Sequence, residues 1–173
     1  MTSTKVSSHN STEVHLNHLR RAMRLALEAE EDGNLPVGAI IVLRDEVVAE
    51  AGNTVLLPQY YPGGHAEVEA LRRVPVHLWR RCREMTCYTT LEPCVMCMGA
   101  LVLHGISRVV FGAHDPEGGA GVVLPHLPPY YAGGQGVPEW TGPLLPDLCA
   151  PLYRRLKERF DELPCGKNIV PEQ

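Results

Sequence analysis

A histidine, a glutamate and two cysteines carry the clearest chemistry in this sequence. His65 and Glu67 lie in the string His-Ala-Glu, and Cys94 and Cys97 follow Pro93 in a Cys-x-x-Cys pair. One imidazole and two thiolates supply three of the four ligands of a tetrahedral zinc ion, which leaves one position for water. A carboxylate two residues from the histidine can reach that water without binding the metal. These side chains therefore predict a hydrolytic zinc site with Glu67 as the proton carrier.

Each string also has a simpler interpretation. A Cys-x-x-Cys pair is typical of redox motifs as well, and a glutamate in a first helical turn is favoured by the helix dipole alone. A closed structural zinc site is a stronger alternative, and Cys87 is near enough in sequence to be its fourth ligand. The two strings occur together, with a proline before the first cysteine, and this combination favours a catalytic zinc site.

Hydrophobic periodicity predicts that both strings lie at the starts of helices, over 65–73 and 94–104. Residues three apart share a helix face, so the sulfurs of Cys94 and Cys97 can point to one ion. The partial positive charge at a helix N-terminus favours thiolate over thiol, and the thiolate is the form that binds metal. We therefore expect these helix starts to meet at the metal site.

The remaining pattern predicts a sheet covered by helices. An apolar run and its return strand form a predicted hairpin, and later apolar runs of strand length alternate with helices, which favours an α/β fold. Between residues 114 and 140 proline and glycine are frequent, and the segment is predicted to be a functional or mobile loop. Strands are predicted at 38–43, 47–51, 85–91 and 108–112, and further helices at 14–31 and 146–160.

Composition limits the class of protein. The chain has 173 residues, 45% of them hydrophobic, which suits one domain with a full core. Its apolar runs are too short to cross a bilayer, so no membrane partner is expected. Six cysteines without a disulfide-type spacing favour a reducing cytoplasm. The formal net charge of −4 does not favour a protein whose affinity comes mainly from neutralising phosphates.

Local composition also sets the expected domain boundaries. Residues 1–12 are polar and lack an apolar segment, so they are predicted to form a flexible N-terminal tail rather than a secretory signal. Residues 13–163 are predicted to form a single zinc-dependent domain, and residues 164–173 a C-terminal tail.

Longer strings around these motifs resemble a known family. The H-x-E…P-C-x-x-C pattern is the signature of zinc deaminases, and the strings beside it are similar to the adenosine-deaminase-like branch. The sequence thus resembles the cytidine-deaminase superfamily, and most closely the bacterial tRNA adenosine deaminases. The matching strings are LPVGAIIV at 35–42, HAEV at 65–68, YTTLEPCVMC at 88–97 and RVVFGAHDP at 108–116.

The resemblance implies a fold and a set of site residues. The expected fold is α/β, a three-layer α-β-α arrangement with a central five-stranded mixed sheet, usually in a homodimer. His65, Cys94 and Cys97 would bind Zn²⁺, and Glu67 would carry a proton to the ring nitrogen and then to the leaving ammonia. Five residues are expected to bind the substrate: Asn53 by hydrogen bonding, Val37 and Leu91 as pocket walls, and Glu92 and Pro93 beside them.

The implied activity is a zinc-dependent hydrolytic deamination, in which an amino group on a nucleobase becomes a carbonyl and ammonia is released. The substrate stays open between a free base or nucleoside and a tRNA adenosine. Residues 125–139 contain no Lys or Arg, unlike the family's tRNA-contacting segment, and Tyr130 and Tyr131 are candidates to cover a small pocket. The alternative function is a catalytically silent binding module stabilised by zinc, against which the retained Glu67 argues.

Overall fold

The structure is a computed structural model that describes residues 6–133 and 136–162, and of residues 6–11 it describes the backbone course alone. Helices alternate with strands along most of the chain, and short 3₁₀ segments lie at Val76–Glu84, Ala120–Val122 and Leu124–His126. The helices are α1 (Val6–Glu31), α2 (Ala66–Arg73), α3 (Val95–Leu103), α4 (Pro129–Gly133) and α5 (Pro146–Asp161). The strands are β1 (Gly38–Leu43), β2 (Glu46–Gly52), β3 (Met85–Leu91), β4 (Arg108–Ala113) and β5 (Glu139–Thr141).

The strands form one mixed sheet in the order β2-β1-β3-β4-β5. β1 is antiparallel to both β2 and β3, whereas β3, β4 and β5 are parallel. One face packs against α2 and α3 through a core that includes Ile41, Leu71 and Leu101, and the other packs against α1 and α5. The predicted three-layer α-β-α fold with a five-stranded mixed sheet is therefore confirmed.

Two elements differ from the sequence prediction. Helix α1 begins at Val6 rather than residue 14, so residues 6–12, expected to belong to a flexible tail, continue the helix. Their polar residues carry no apolar period, which is why the pattern missed them. Strand β5 was also missed, because three residues are too few to reveal an alternation, and it forms by pairing with β4. Residues 1–5 and the predicted tail at 164–173 lie outside the described residues.

Helix α1 packs closely on the hairpin of β1 and β2, and this packing positions the chain segments before β1 and after β2. Gly38 and Gly52 pair with each other across β1 and β2. A Cβ at Gly38 would lie 2.1 Å from the carbonyl oxygen of Ala22, and one at Gly52 would lie 2.9 Å from that of Leu25. Only glycine lets the helix lie this close to the strands, and the approach fixes the chain just before β1 and just after β2.

Four strand ends meet at one edge of the sheet. Because β1 is antiparallel to its two neighbours, β2, β3 and β4 run in the same direction and end at the edge where β1 begins. Residues before β1 and after β2, β3 and β4 therefore lie together, the usual place for a site in an α/β sheet. Among the described helices, none has the length and apolar character needed to cross a membrane.

On the opposite layer, two histidines of α1 pack against a buried tyrosine of β3. The Nδ1 atom of His15 lies 2.8 Å from the hydroxyl of Tyr88, and the ring of His18 lies 4.7 Å from the Tyr88 ring. Burial lowers the pKa of both histidines. Nearby charges act in both directions: Arg108 and Arg21 lower these pKa values, whereas Asp45 and Glu139 raise them.

This histidine pair predicts a loss of stability in mild acid. In the unfolded chain His15 and His18 take up protons near pH 6.5, whereas in the folded chain their lowered pKa values delay protonation. Their contribution to the free energy of unfolding is therefore complete above about pH 6.5, and it falls as the pH drops through the lowered folded pKa values. Thermal melting of the zinc-loaded protein between about pH 7.5 and pH 5.5 measures this loss. The double variant His15→Gln/His18→Phe should flatten the profile, and an unchanged profile would assign the acid sensitivity to other groups.

Candidate metal centre and active site

The ends of two helices bring three metal-binding side chains together. His65 is the residue that precedes α2, and Cys94 is the residue that precedes α3, whose first turn carries Cys97. The Nδ1 atom of His65 lies 3.6 Å from the sulfur of Cys94 and 3.4 Å from that of Cys97. All three ligand atoms lie within 4.8 Å of one another.

These distances fit a tetrahedral zinc ion. Zinc binds histidine nitrogen at about 2.0 Å and thiolate sulfur at about 2.3 Å, so a nitrogen and a sulfur on one ion stand about 3.6 Å apart. A hydrogen bond from the Cys97 thiol lowers the pKa of Cys94, and the same bond raises the pKa of Cys97. Cys94 is therefore prepared as a thiolate, and a bound cation favours loss of the second proton.

The alternative of a structural zinc site finds no support among the residues that the structure describes. The group whose ligand atoms converge contains His65, Cys94 and Cys97, and Cys87 is not a member of it. Cys87 lies on β3 and is fully buried. A three-ligand set leaves a coordination position for water, which is the arrangement of catalytic zinc.

Glu67 lies beside this group in the first turn of α2 and is 3% exposed. The hydroxyl of Thr89 donates to one carboxylate oxygen at 3.1 Å, and the thiol of Cys97 lies 3.4 Å from the other. Burial raises the pKa of the Glu67 carboxyl. A buried carboxyl with a raised pKa, held next to a metal-binding group, is suited to accept and return a proton.

A pocket of about 130 Å³ opens from these residues at the sheet edge where the four strand ends meet. Four of the five expected substrate-binding residues line it: Asn53, Val37, Leu91 and Glu92. Pro93 does not line the pocket, and its carbonyl oxygen instead accepts a hydrogen bond from the backbone of Ala120.

Asn53 follows β2 and is oriented by its own backbone. Its side-chain oxygen accepts the N–H of Val55 at 2.9 Å, and the residue is 3% exposed. With the oxygen engaged in this turn, the amide nitrogen is the group that can donate to a ligand. Asn53 thus offers a fixed hydrogen-bond donor to a ring nitrogen or carbonyl oxygen in the pocket.

Sequence reasoning missed four residues that also line the pocket: Leu35, Asp115, Leu156 and Phe160. The last two lie on α5, which was predicted only as a helix over 146–160. Tyr130 and Tyr131, the expected cover, do not line the pocket, and Tyr131 packs instead against the cluster around Met98. The helical period shows that a face is apolar but not that it faces a ligand.

Comparison with known proteins agrees with this metal centre. A family model described as the cytidine and deoxycytidylate deaminase zinc-binding region matches residues 12–113. The chain belongs to this family. The predicted cytidine-deaminase resemblance, the zinc cofactor and the assignment as a zinc-dependent deaminase are therefore confirmed.

Relatives of this deaminase carry names of two kinds. A Bacillus subtilis protein named tRNA-specific adenosine deaminase is 40% identical over 112 residues, 64% of this chain and 68% of the relative. A Schizosaccharomyces pombe protein named probable cytosine deaminase is 38% identical over 108 residues, 62% of this chain and 65% of the relative. A solved structure from a study of tRNA:A34 deaminases and A-to-I editing has a TM-score of 0.68 and 31% identity, over 79% of this chain and 99% of that chain.

Proposed function

We propose that this deaminase acts on a small nucleobase, either free or in a nucleoside, and converts its amino group to a carbonyl. The observation that carries this proposal is the apolar lining of the pocket. Leu156 and Phe160 of α5 line it together with Leu35, Val37 and Leu91. The pocket volume of about 130 Å³ suits a single heterocyclic ring system.

The charges of α5 support the same substrate class. Arg155 forms two hydrogen bonds with Glu30 at 2.6 and 2.8 Å, and Lys157 pairs with Glu117 at 2.5 Å. Arg159 lies 3.5 Å from Glu162. Basic residues bound to carboxylates of their own chain contribute less to phosphate binding, because each phosphate contact must first displace a pair. Three of the four basic residues of α5 are therefore paired with carboxylates of the chain.

In the proposed reaction the protein supplies proton transfer and orientation. Zinc held by His65, Cys94 and Cys97 would supply an activated water as the nucleophile. Glu67 takes a proton from the attacking water and delivers it to the ring nitrogen beside the amino-bearing carbon, which makes the carbon electrophilic. Once the hydroxide has bonded to that carbon, Glu67 moves the remaining hydroxyl proton to the amino nitrogen, so that the C–N bond breaks, ammonia leaves and the carbonyl forms. The amide nitrogen of Asn53 keeps the ring in place through a hydrogen bond.

A tRNA adenosine is the second candidate substrate, because the Bacillus subtilis relative with 40% identity carries that name. The two candidates separate in one experiment. Ammonia release and product mass are measured with adenine, adenosine, cytosine, cytidine, guanine and a tRNA anticodon stem-loop, with Glu67→Ala as the blank. Turnover of a base or nucleoside supports our proposal. Turnover of the stem-loop alone overturns it, and no turnover by the zinc-loaded protein favours the silent binding module.

The role of Phe160 gives a prediction about the Michaelis constant. Phe160→Ala removes apolar contact with the substrate, so we expect KM for the small substrate to rise about 3- to 10-fold with little change in kcat. Tyr130→Ala is the matched control, since Tyr130 is 75% exposed and does not line the pocket. Steady-state kinetics of both variants check this, and equal KM values in the two would remove Phe160 from the binding site.

We also propose a homodimer, with α3 at its interface. The helix exposes Val95, Met96 and Leu103, and a Cβ at Gly99 would meet nothing within 4 Å, so this face is apolar and open. Such a patch is typical of a protein–protein interface.

We further propose that residues 13–163 act as a single deaminase domain in the cytoplasm. The five described cysteines are free, and a reducing compartment keeps Cys94 and Cys97 able to bind zinc.

A further inference from the structure

We propose that Glu92 is a positioning residue, which holds the loop at 114–122 against Cys94 and thereby fixes this zinc ligand. Glu92 follows β3, precedes Pro93 and Cys94, and is 8% exposed. It was expected to bind substrate. The surroundings of its carboxylate support a different role.

Three donors from two later parts of the chain, the loop at 114–122 and β5, converge on this carboxylate. The Nδ1 atom of His114 lies 2.8 Å from Oε2. The backbone N–H of Gly121 and the indole N–H of Trp140 both donate to Oε1, at 3.1 and 3.2 Å. Both oxygens of Glu92 are thus engaged by the protein, and a base could bind them only by displacing these donors.

The loop closes on the carboxylate without any space for side chains. A Cβ at Gly119 would lie 2.6 Å from Oε2 of Glu92, and one at Gly121 would lie 2.7 Å from Oε1. Glycine at both positions therefore lets the backbone reach the buried charge directly. Because the loop backbone approaches the Glu92 carboxylate this closely, the loop is held in one position.

The same loop contacts the segment that carries the zinc ligand Cys94. Gly119 forms an antiparallel bridge with Cys94, and the backbone N–H of Ala120 donates to the carbonyl of Pro93 at 2.9 Å. Glu92 thus binds the loop at 114–122, and this loop in turn contacts Pro93 and Cys94 through its backbone. Groups that orient a metal ligand without touching the metal commonly change metal affinity by about 10- to 100-fold when they are removed.

The test measures the metal site without substrate. Zinc affinity is determined by chelator competition, and the Co²⁺-substituted protein is examined by absorption spectroscopy, whose thiolate charge-transfer bands report the cysteine geometry. We expect Glu92→Ala to weaken zinc binding about tenfold or more and to shift these bands. Glu92→Gln keeps an acceptor oxygen for Gly121 and Trp140 and should restore most of both properties.

Two further variants keep the outcome decisive. Trp140→Phe removes one hydrogen-bond donor to Glu92 but keeps an aromatic ring. It should cause a smaller loss of zinc affinity and a smaller shift of the cobalt bands, and it remains informative if Glu92→Ala does not fold. Glu69→Ala is the matched control, since Glu69 is also 8% exposed and its side chain bonds Arg72 at 2.7 Å. Wild-type zinc affinity and cobalt bands in Glu92→Ala, with a raised KM alone, would overturn the proposal in favour of substrate binding. Because the metal readouts need no turnover, the result is independent of which base is the substrate.

Discussion

Replacement of Glu67 by glutamine is expected to abolish turnover while the fold and the zinc content remain. Glutamine has the size of glutamate and still accepts the hydroxyl of Thr89, which lies 3.1 Å away, but it cannot take up a proton. A positioned general acid–base contributes about 10² to 10⁴ in rate. Because Glu67 is proposed to carry every proton of the reaction, we expect kcat to fall toward the upper end of that range.

Zinc analysis, circular dichroism and single-turnover assays of Glu67→Gln check this result together. Glu69→Gln, two residues further along the same helix, is the control and should retain activity. A kcat within about tenfold of the wild type would contradict the proton-carrier role. Loss of zinc from Glu67→Gln would instead show that the carboxylate supports the metal-binding group, since it lies 3.4 Å from the sulfur of Cys97.

Replacement of either metal-binding cysteine should cost both the ion and the activity. In Cys94→Ser and Cys97→Ser a hydroxyl replaces a thiolate, and zinc binds the thiolate more strongly. Only two strong protein ligands then remain. We expect zinc affinity to fall by more than about 100-fold, because removal of a ligand should exceed the effect of removing a residue that only orients one. Metal analysis after dialysis, together with activity at added zinc, measures the loss.

Two other cysteines serve as controls with different meanings. Cys82→Ser changes a cysteine outside the metal-binding group and should leave zinc content unchanged. Cys87→Ala tests the structural alternative, since a closed site with Cys87 as fourth ligand would lose zinc in this variant. Retention of zinc in Cys87→Ala and loss in Cys94→Ser is the expected combination, and full zinc retention in Cys94→Ser would refute the ligand assignment.

The metal-binding group was predictable because its signals are local. His65 and Cys94 stand at helix starts that hydrophobic periodicity locates, and the spacing of Cys94 and Cys97 puts both sulfurs on one face. Four strands were equally predictable, since each has the length and apolar character of a buried strand. In these parts of the chain, local propensity and tertiary structure agree.

The rest of the site depends on contacts between distant segments. Leu156 and Phe160 reach the pocket because α5 packs against β3 and β4, and nothing within α5 itself signals that placement. The three donors to Glu92 also come from far along the chain. Strand β5 depends in the same way on the edge of β4. The local sequence of these segments does not determine which distant residues they contact.

The positions of the ligands along the chain have a consequence for biosynthesis. His65, Cys94 and Cys97 all precede α5, whereas the pocket residues Leu156 and Phe160 lie on that last described helix. A ribosome therefore exposes the three ligands before it exposes these two residues, since chains emerge from their N-terminal end. The ligands can thus meet an ion before α5 has been made, and the lining of the substrate pocket is completed only when α5 docks.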